Sequence, residues 1–269
     1  MERLIRVDSP EAVLPQWEDL SGQGLAYYAG KVSSPRMDFF ALRIDVSNPE
    51  LGIYTAGGKK NPEDGTFLST KVSSFVRDNG LLAGINALPF DPVSGREGEP
   101  RINIGIVISD GIMLSPPEPR FDALLVYSDK SMAIAAQSEI ISADTVKNAA
   151  GGFHRILEDH ELVPRVLSLT ARHPRSAAGI SPDNRYLYLL VIDGRRPNSI
   201  GATEAETALI LRSLGASEGI NFDGGGSSAL VLRFPNNRIR AVNIPIHRQI
   251  PGKERAVAGC LGIKIINEE

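Results

Sequence analysis

A glycine triplet between two apolar runs is the most informative feature of this sequence, in the stretch Ile220-Asn221-Phe222-Asp223-Gly224-Gly225-Gly226-Ser227-Ser228-Ala229-Leu230-Val231-Leu232. The first apolar run ends at the carboxylate of Asp223, and two hydroxyl residues follow the glycines. Both flanks have the apolar patterns of buried strands, which a flexible Gly/Ser linker lacks. Because glycine lets another molecule approach the backbone closely, the loop is a candidate recognition site beside Asp223.

Two other interpretations of this loop have to be considered. The P-loop and dinucleotide motifs place a helix after the glycines, but residues 229–234 are predicted to form a strand. A nucleotide-binding fold is therefore rejected. The alternative that stays open is a tight glycine bulge between two strands, with Asp223 as an ordinary turn residue.

Length and composition restrict the class of protein. The 269 residues predict an N-terminal arm at residues 1–24 and one domain at residues 25–269. The net charge of −3, without a long block of either sign, argues against nucleic-acid binding. Cys260 is the only cysteine, which excludes an intrachain disulfide and a cysteine-rich zinc site. No apolar run reaches the roughly 20 residues of a membrane span, and residues 1–20 lack the apolar segment of a signal peptide.

Apolar periodicity predicts many strands and two helices. Strands are expected at residues 25–28, 39–46, 51–54, 81–85, 104–108, 111–114, 123–127, 186–192, 229–234 and 256–266. Helices are expected at residues 69–79 and 203–214. Thr203 and Glu206 have the spacing of a capping box, and Gly215 is the expected end of the second helix. That helix has no wide polar face, so we expect it to be largely buried.

The histidines do not predict a metal site, because none of them forms a His-x-x-x-His pair: they are His154, His160, His173 and His247. No metal ligand and no cofactor are therefore assigned. Other polar residues follow predicted strands, where they can lie at the rim of a sheet. Asn86 follows the strand at residues 81–85, and Asp193 and Arg195 follow the strand at residues 186–192. A plain exit from strand to loop explains each of these positions equally well.

These motifs occur in the order found in the phosphodiester glycosidase family, which the sequence resembles over residues 80–265. The matching motifs are Asn86 with Phe90, Gly151-Gly152, His173-Pro174-Arg175-Ser176-Ala177, Val191-Ile192-Asp193-Gly194-Arg195, Gly201 with Thr203, Glu206 and Ala208, Leu214-Gly215-Ala216, Asn221 with Asp223-Gly224-Gly225-Gly226-Ser227-Ser228, and Glu254-Arg255. The resemblance implies a single-domain α+β fold, with mixed or antiparallel sheets wrapped around a central buried helix at residues 203–214. It also implies a hydrolase that cleaves a glycosyl phosphodiester to free sugar and a phosphomonoester, without a cofactor. Relatives of this kind are often periplasmic, secreted or associated with the cell envelope or an exopolysaccharide.

The chemistry of such a substrate matches residues of this chain. A glycosyl phosphodiester has an acidic leaving group, so binding its negative charge matters more than protonating it. Arginine binds phosphate oxygens in two places, and the candidates are Arg175, Arg195 and Arg255. A carboxylate would activate water or stabilise an oxocarbenium-like centre, and the candidates are Asp193, Glu206 and Asp223. The substrate site is completed by Asn86, Gly224, Gly225, Gly226 and Ser227.

Two alternative functions remain open, and each of the charged candidates also has a structural alternative, an ordinary ion pair. A sugar- or phosphate-binding envelope protein without catalysis would retain the arginines and the glycine loop. A metal-dependent phosphoesterase would need a cluster of carboxylates around a divalent ion. Release of reducing sugar without inorganic phosphate, unaffected by a chelator, would distinguish the glycosidase from both.

Overall fold

The computed structural model describes residues 15–20, 24–61, 63–93, 96–139 and 145–266, so most of the predicted N-terminal arm lies outside the described residues. The helices are α1 (Val72–Asp78) and α2 (Glu204–Leu214). The strands are β1 (Glu18–Asp19), β2 (Leu25–Ser33), β3 (Arg36–Asp45), β4 (Leu51–Gly57), β5 (Phe67–Leu68), β6 (Ala83–Asn86), β7 (Phe90–Asp91), β8 (Pro100–Asn103), β9 (Val107–Ser109), β10 (Ile112–Ser115), β11 (Asp122–Tyr127), β12 (Met132–Ala136), β13 (Val146–Gly151), β14 (His154–Glu158), β15 (Glu161–Leu162), β16 (Arg175–Ile180), β17 (Tyr186–Ile192), β18 (Glu218–Asn221), β19 (Leu230–Arg233), β20 (Ile239–Ala241) and β21 (Gly259–Ile265).

The strands form four sheets, and every pairing between these strands is antiparallel. The largest sheet has eight strands in the order β1-β2-β3-β17-β16-β18-β14-β15. Two five-stranded sheets have the orders β10-β9-β13-β11-β12 and β20-β19-β6-β21-β4, and the smallest sheet has the order β5-β8-β7.

The main hydrophobic core lies between sheets. The eight-stranded sheet contributes residues such as Leu42, Leu189 and Ile220, which meet Ile85 and Leu261 of the second five-stranded sheet. Both flanks of the glycine loop enter this core, because Phe222 and Leu230 are fully buried there. The apolar patterns on both sides of the loop, from which we predicted a site, therefore correspond to buried residues in the structure.

The expected α+β fold with a central buried helix is wrong. The structure is mostly β, and the strands against which α2 mainly packs, β14 to β18, belong to the eight-stranded sheet. Helix α2 covers the outer face of that sheet, where Leu211 packs with Leu190 and Ala177. Helix α1 covers the second five-stranded sheet in the same way. The expected burial of α2 itself is correct, since most of its residues are buried, including the polar residues Glu204 and Glu206 at its N-terminal end. A helix can be buried in this way against one face of a sheet, so its burial does not require sheets wrapped around it.

Local predictions from the sequence agree better with the structure. Strand β17 has the predicted bounds, and α2 has the predicted capping box between Thr203 and Glu206. Gly215 ends α2 in the left-handed conformation, with φ 111°. Helix α1 is shorter than predicted and begins only at Val72. No helix in the described parts of the chain is long and apolar enough to cross a membrane.

Candidate active site

The ends of several strands bring the candidate residues together at one edge of the sheets. In the eight-stranded sheet Arg175, at the start of β16, pairs with Ile192 at the end of β17. Asn221, at the end of β18, pairs with Ala177 of β16. Because these neighbours are antiparallel, the loops that follow β17 and β18 emerge beside the segment that precedes β16. Residues that are far apart in sequence thus meet around Pro174.

Asn86 holds the beginning of the glycine loop. Its amide Nδ2 donates to the carbonyl oxygen of Asp223 at 2.5 Å, and its Oδ1 accepts from Ser176 Oγ at 2.7 Å and from Ala229 N at 3.1 Å. The backbone N–H of Asp223 donates in turn to the carbonyl of Ala87 at 2.8 Å. Asn86 is completely buried and connects β6, β16 and the loop, so its side chain positions Asp223.

The glycines allow the loop to pack tightly against its neighbours. The N–H of Gly225 donates to the carbonyl of Pro174 at 2.8 Å. A Cβ on Gly224 would lie 2.7 Å from that carbonyl oxygen, and a Cβ on Gly226 would lie 2.5 Å from Nη2 of Arg255. Gly225 itself has φ +63°, a conformation that L side chains rarely adopt. Gly224 therefore needs glycine because of a backbone contact and Gly225 because of its positive φ, while a side chain at position 226 would displace the guanidinium of Arg255.

Asp223 is the candidate carboxylate that has the fewest partners. It is partly exposed, and it is not in an ion pair within 4.0 Å among the described residues. Loss of solvation raises the pKa of its carboxyl group to about 6, although a hydrogen bond from Ser227, the nearby Arg255 charge and the N–H of Gly224 all oppose that shift. A carboxyl group of this kind changes charge near neutral pH, which suits acid–base chemistry.

Two arginines face the loop from different directions. Arg255 Nη1 donates to Ser227 Oγ at 3.1 Å, and its Nε donates to His247 Nδ1 at 3.1 Å. Arg195 is exposed, and its Nη2 lies 3.0 Å from the position of a Cβ on Gly225. The pKa of Arg255 is lowered by burial and by the charge of Arg195, while Asp223 opposes that shift. Two guanidinium groups thus lie at a loop that carries one carboxylate, which leaves an excess of positive charge there.

Asp193 has a different environment. Its side chain is only 1% exposed, and Oδ2 accepts from Arg196 Nη2 at 2.6 Å. Its Oδ1 accepts from Asn243 Nδ2 at 3.2 Å and from the N–H of Ile244 at 3.1 Å. Burial raises the pKa of Asp193 in spite of these partners. The structure places Asp193 at a junction between two loops, and both of its carboxylate oxygens accept hydrogen bonds there.

Glu206 is engaged in a similar way. Its Oε2 accepts from the N–H of Thr203 at 2.9 Å, which completes the capping box, and from Arg172 Nη1 at 2.6 Å. Its Oε1 accepts from the second guanidinium nitrogen of Arg172. The glutamate side chain is 1% exposed, and the partner Arg172 was not identified from the sequence. The contacts of Glu206 are therefore those of a structural ion pair at the N-terminus of α2.

Arg175 is held inside the protein rather than at the glycine loop. Its Nε donates to the carbonyl of Ala202 at 3.0 Å and its Nη2 to the carbonyl of Ala171 at 3.0 Å. Its Nη1 lies 3.3 Å from Glu204 Oε1. All three guanidinium nitrogens are thus engaged, and the structure leaves Arg195 and Arg255 as the arginines at the glycine loop.

Sequence analysis missed one residue of the site. His247 contacts Arg255 directly, but it lies between Ile246 and Arg248 in a stretch without a recognisable motif. Within the described parts of the chain, no three His, Cys, Asp or Glu side chains lie together as a metal site. Two cavities of about 440 and 70 Å³ lie elsewhere, against α1 and beside β4, and neither is lined by Asp223, Arg195 or Arg255.

Comparison with known proteins identifies the family. The chain resembles a hypothetical protein from Synechocystis, with a TM-score of 0.60 and 13% identity over 90% of this chain and 62% of that chain. It also resembles the catalytic domain of zebrafish N-acetylglucosamine-1-phosphodiester alpha-N-acetylglucosaminidase, auto-inhibited by its pro-peptide, with a TM-score of 0.69 and 17% identity over 95% of this chain and 86% of that chain. These identities show a shared fold alone, and no curated protein matches the sequence significantly. The phosphodiester glycosidase profile, however, matches residues 79–264, well over half of the sequence. The chain therefore belongs to the phosphodiester glycosidase family.

Proposed function

We propose that this protein hydrolyses a glycosyl phosphodiester to a free sugar and a phosphomonoester at the loop of Asp223, Gly224, Gly225 and Gly226. The observation that carries the proposal is the pair of arginines, Arg195 and Arg255, beside a partly exposed carboxylate that titrates near neutral pH. A phosphodiester monoanion complements this excess of positive charge. The family assignment supports the same class of reaction.

Asp223 is the proposed catalytic carboxylate. In its ionised form it takes a proton from a water molecule, and the oxygen of that water forms a bond to the anomeric carbon of the sugar. The bond between the anomeric carbon and the phosphate oxygen breaks, and its electron pair stays on the phosphate. Until the proton is transferred, the negative charge of Asp223 also stabilises the positive charge that develops on the sugar. The proton then passes from Asp223 to solvent, which restores the ionised carboxylate.

Arg195 and Arg255 are the proposed phosphate-binding residues. Phosphate becomes more negative as the sugar departs, so guanidinium groups that contact it stabilise the transition state more than the ground state. Arg255 uses one N–H for His247 and one for Ser227, which leaves three of its five for a ligand. Ser227 connects Arg255 to Asp223, so phosphate binding and the carboxylate are held in one hydrogen-bonded unit.

Incubation with a panel of glycosyl phosphodiesters tests the proposal. The first compound is the methyl phosphodiester of N-acetylglucosamine 1-phosphate, because the name of the zebrafish enzyme contains this class of substrate. We expect equal amounts of reducing sugar and phosphomonoester, no inorganic phosphate, and no effect of a chelator. Binding of the panel without turnover would instead indicate a sugar-phosphate-binding protein. Release of inorganic phosphate that a chelator abolishes would indicate a metal-dependent phosphoesterase.

A further inference from the structure

His247 has contacts that its sequence context does not explain. It lies in a short turn, His247–Gln249, that packs against the turn Gly225–Ser227 of the glycine loop. The residue is 4% exposed, and its backbone N–H donates to the carbonyl of Lys253 at 3.0 Å. The two residues that follow it, Arg248 and Gln249, both have positive φ, of 54° and 61°. The backbone thus holds the imidazole in place beside the loop at the cost of some strain.

The imidazole accepts a hydrogen bond from Arg255. Burial, together with the charges of Arg255, Arg248 and Lys253, lowers the pKa of His247 to about 4, so the ring is neutral at neutral pH. Nδ1 accepts from Arg255 Nε at 3.1 Å, which places the ring proton on Nε2. Nε2 is buried and has no hydrogen-bond partner among the described residues. The hydrogen bond from Arg255 is therefore the interaction that connects this imidazole to the glycine loop.

We propose that His247 is a positioning residue that orients the guanidinium of Arg255 toward the anion, an inference that rests on the proposed function. Two hydrogen bonds, one on Nε and one on Nη1, define the plane and the rotation of the guanidinium. The N–H groups that remain point away from both partners, because the five donors of arginine have a fixed planar arrangement. Without the bond on Nε, Arg255 can rotate about its side chain, and a bidentate contact to an anion is lost.

Polar variants of similar shape separate this role from simple packing. In His247→Asn the side-chain oxygen can take the place of Nδ1 and accept from Arg255, whereas in His247→Gln the longer side chain reaches the place of Nε2. His247→Leu has no acceptor. The probe is inorganic sulfate, measured by isothermal titration calorimetry, together with kcat/KM for a glycosyl phosphodiester and the melting temperature of each variant.

We expect His247→Leu and His247→Gln to lose about ten- to a hundredfold in sulfate affinity and in kcat/KM, the usual effect of losing a hydrogen bond to a charged group. His247→Asn should recover both quantities to within about threefold of the wild-type values. Arg255→Lys is the control that removes the oriented guanidinium, and it should lose both quantities whichever residue is at position 247. If His247→Leu does not fold, the comparison between Asn and Gln decides the question.

Equal sulfate affinity in the Asn and Gln variants would overturn the inference. So would wild-type affinity in a folded His247→Leu variant. The expected pattern of sulfate binding in a protein that cleaves none of the phosphodiesters would support the role of His247 and contradict the proposed function. Normal turnover that does not depend on residue 247 would support the proposed function and contradict the role of His247.

Discussion

At the scale of single residues, the structure distinguishes carboxylates and arginines that have the same appearance in the sequence. Asp193, Glu206 and Asp223 all belong to family motifs, but the buried carboxylates of Asp193 and Glu206 each accept hydrogen bonds on both oxygens. Asp223 is partly exposed and is left without a close ion pair. Their functional assignments stay predictions, and the experiments below separate them.

Asp223→Asn is expected to lower turnover by about a hundredfold or more, because the amide can neither accept a proton from water nor stabilise a cation as a carboxylate does. The pKa of about 6 adds a pH signature. Since the ionised form is required, kcat/KM of the wild type should rise with pH through about 6. That acidic limb should be absent from the residual activity of the variant. A wild-type pH profile in Asp223→Asn would move the assignment to Asp193.

The same substitution has a predicted effect on stability. The folded-state pKa of Asp223 is raised above its unfolded value, so the contribution of this group to stability is greatest at low pH and is lost as pH rises through about 6. As the pH rises from 4 to 8, the free energy of unfolding of Asp223→Asn should therefore increase relative to that of wild type, by about 1–2 kcal/mol after allowance for solvent exposure. Urea denaturation at both pH values measures this difference. A variant that loses stability relative to wild type at the higher pH would contradict this prediction.

Arg175→Lys and Arg255→Lys form a matched pair. Lysine cannot make the three separate contacts of Arg175, so Arg175→Lys should lower the free energy of unfolding by about 2–4 kcal/mol. Arg255→Lys should melt within a few degrees of wild type but lose at least about tenfold in kcat/KM, because a point charge does not bind phosphate in two places. Thermal melts and kinetics on the folded fraction separate the two effects. A stable Arg175→Lys variant that loses substrate affinity would restore Arg175 to the phosphate site.

At the scale of elements, the glycine loop and the N-terminus of α2 each have contacts within the element and contacts with residues that are distant in sequence. The hydrogen bond from Gly225 to Pro174 connects the loop to the segment before β16. The capping box of α2 shares its glutamate with Arg172, which lies outside the helix. Substitutions in either element therefore need controls that isolate the local contribution.

Gly225→Ala should lower kcat/KM by up to about tenfold, because its Cβ would lie 3.0 Å from Nη2 of Arg195 and shift that guanidinium by a few tenths of an ångström. The matched control is Gly80→Ala. Gly80 has φ +65°, close to the +63° of Gly225, and a Cβ there meets no atom within 4 Å. Both variants should lose a similar 1–2 kcal/mol of stability from the left-handed backbone. Equal activities in the two variants would mean that the position of Arg195 does not matter for turnover.

Glu206→Gln should lower stability by about 2–3 kcal/mol with little change in kcat/KM of the folded fraction. Glutamine can retain the hydrogen bond from Thr203, but its amide N–H group would face Arg172 in place of the second carboxylate oxygen. A double-mutant cycle with Arg172→Gln measures the pair, and the double variant should lose less than the sum of the single variants. A large loss of turnover at unchanged stability would instead assign catalysis to Glu206.

At the scale of the whole molecule, stability depends mainly on burial between sheets. Leu189, near the middle of β17, is completely buried in the core between the eight-stranded sheet and the other sheets. Leu189→Ala should therefore cost about 2–5 kcal/mol, as large-to-small substitutions in cores do. Ile102→Ala is the control, since Ile102 is 60% exposed, and its effect should stay within about 0.5 kcal/mol. Urea denaturation measures the free energy of unfolding of both variants. Equal losses would contradict the placement of Leu189 in the main core.

Local features of the chain could be predicted from the sequence because they depend on neighbouring residues. The bounds of β17, the capping box of Thr203 and Glu206, and the end of α2 at Gly215 all follow from side-chain periodicity and backbone preferences within a few residues. The order of the motifs was also sufficient to indicate the family, which the family profile confirmed. The division into an N-terminal arm and one domain stays a prediction.

Only the tertiary structure decided which side chains are engaged and which are available. The sequence predicted that α2 is buried, and the family resemblance implied a central position, but whether a sheet covers one side of a helix or surrounds it depends on strands that are distant in sequence. Partners such as Arg172 for Glu206 and Asn243 for Asp193 lie 34 and 50 residues away, so no local pattern reveals them. His247 reaches Arg255 through a turn that has no motif. The sequence by itself determined the local elements and the family, and long-range packing determined the neighbours, solvation and pKa of each candidate site residue.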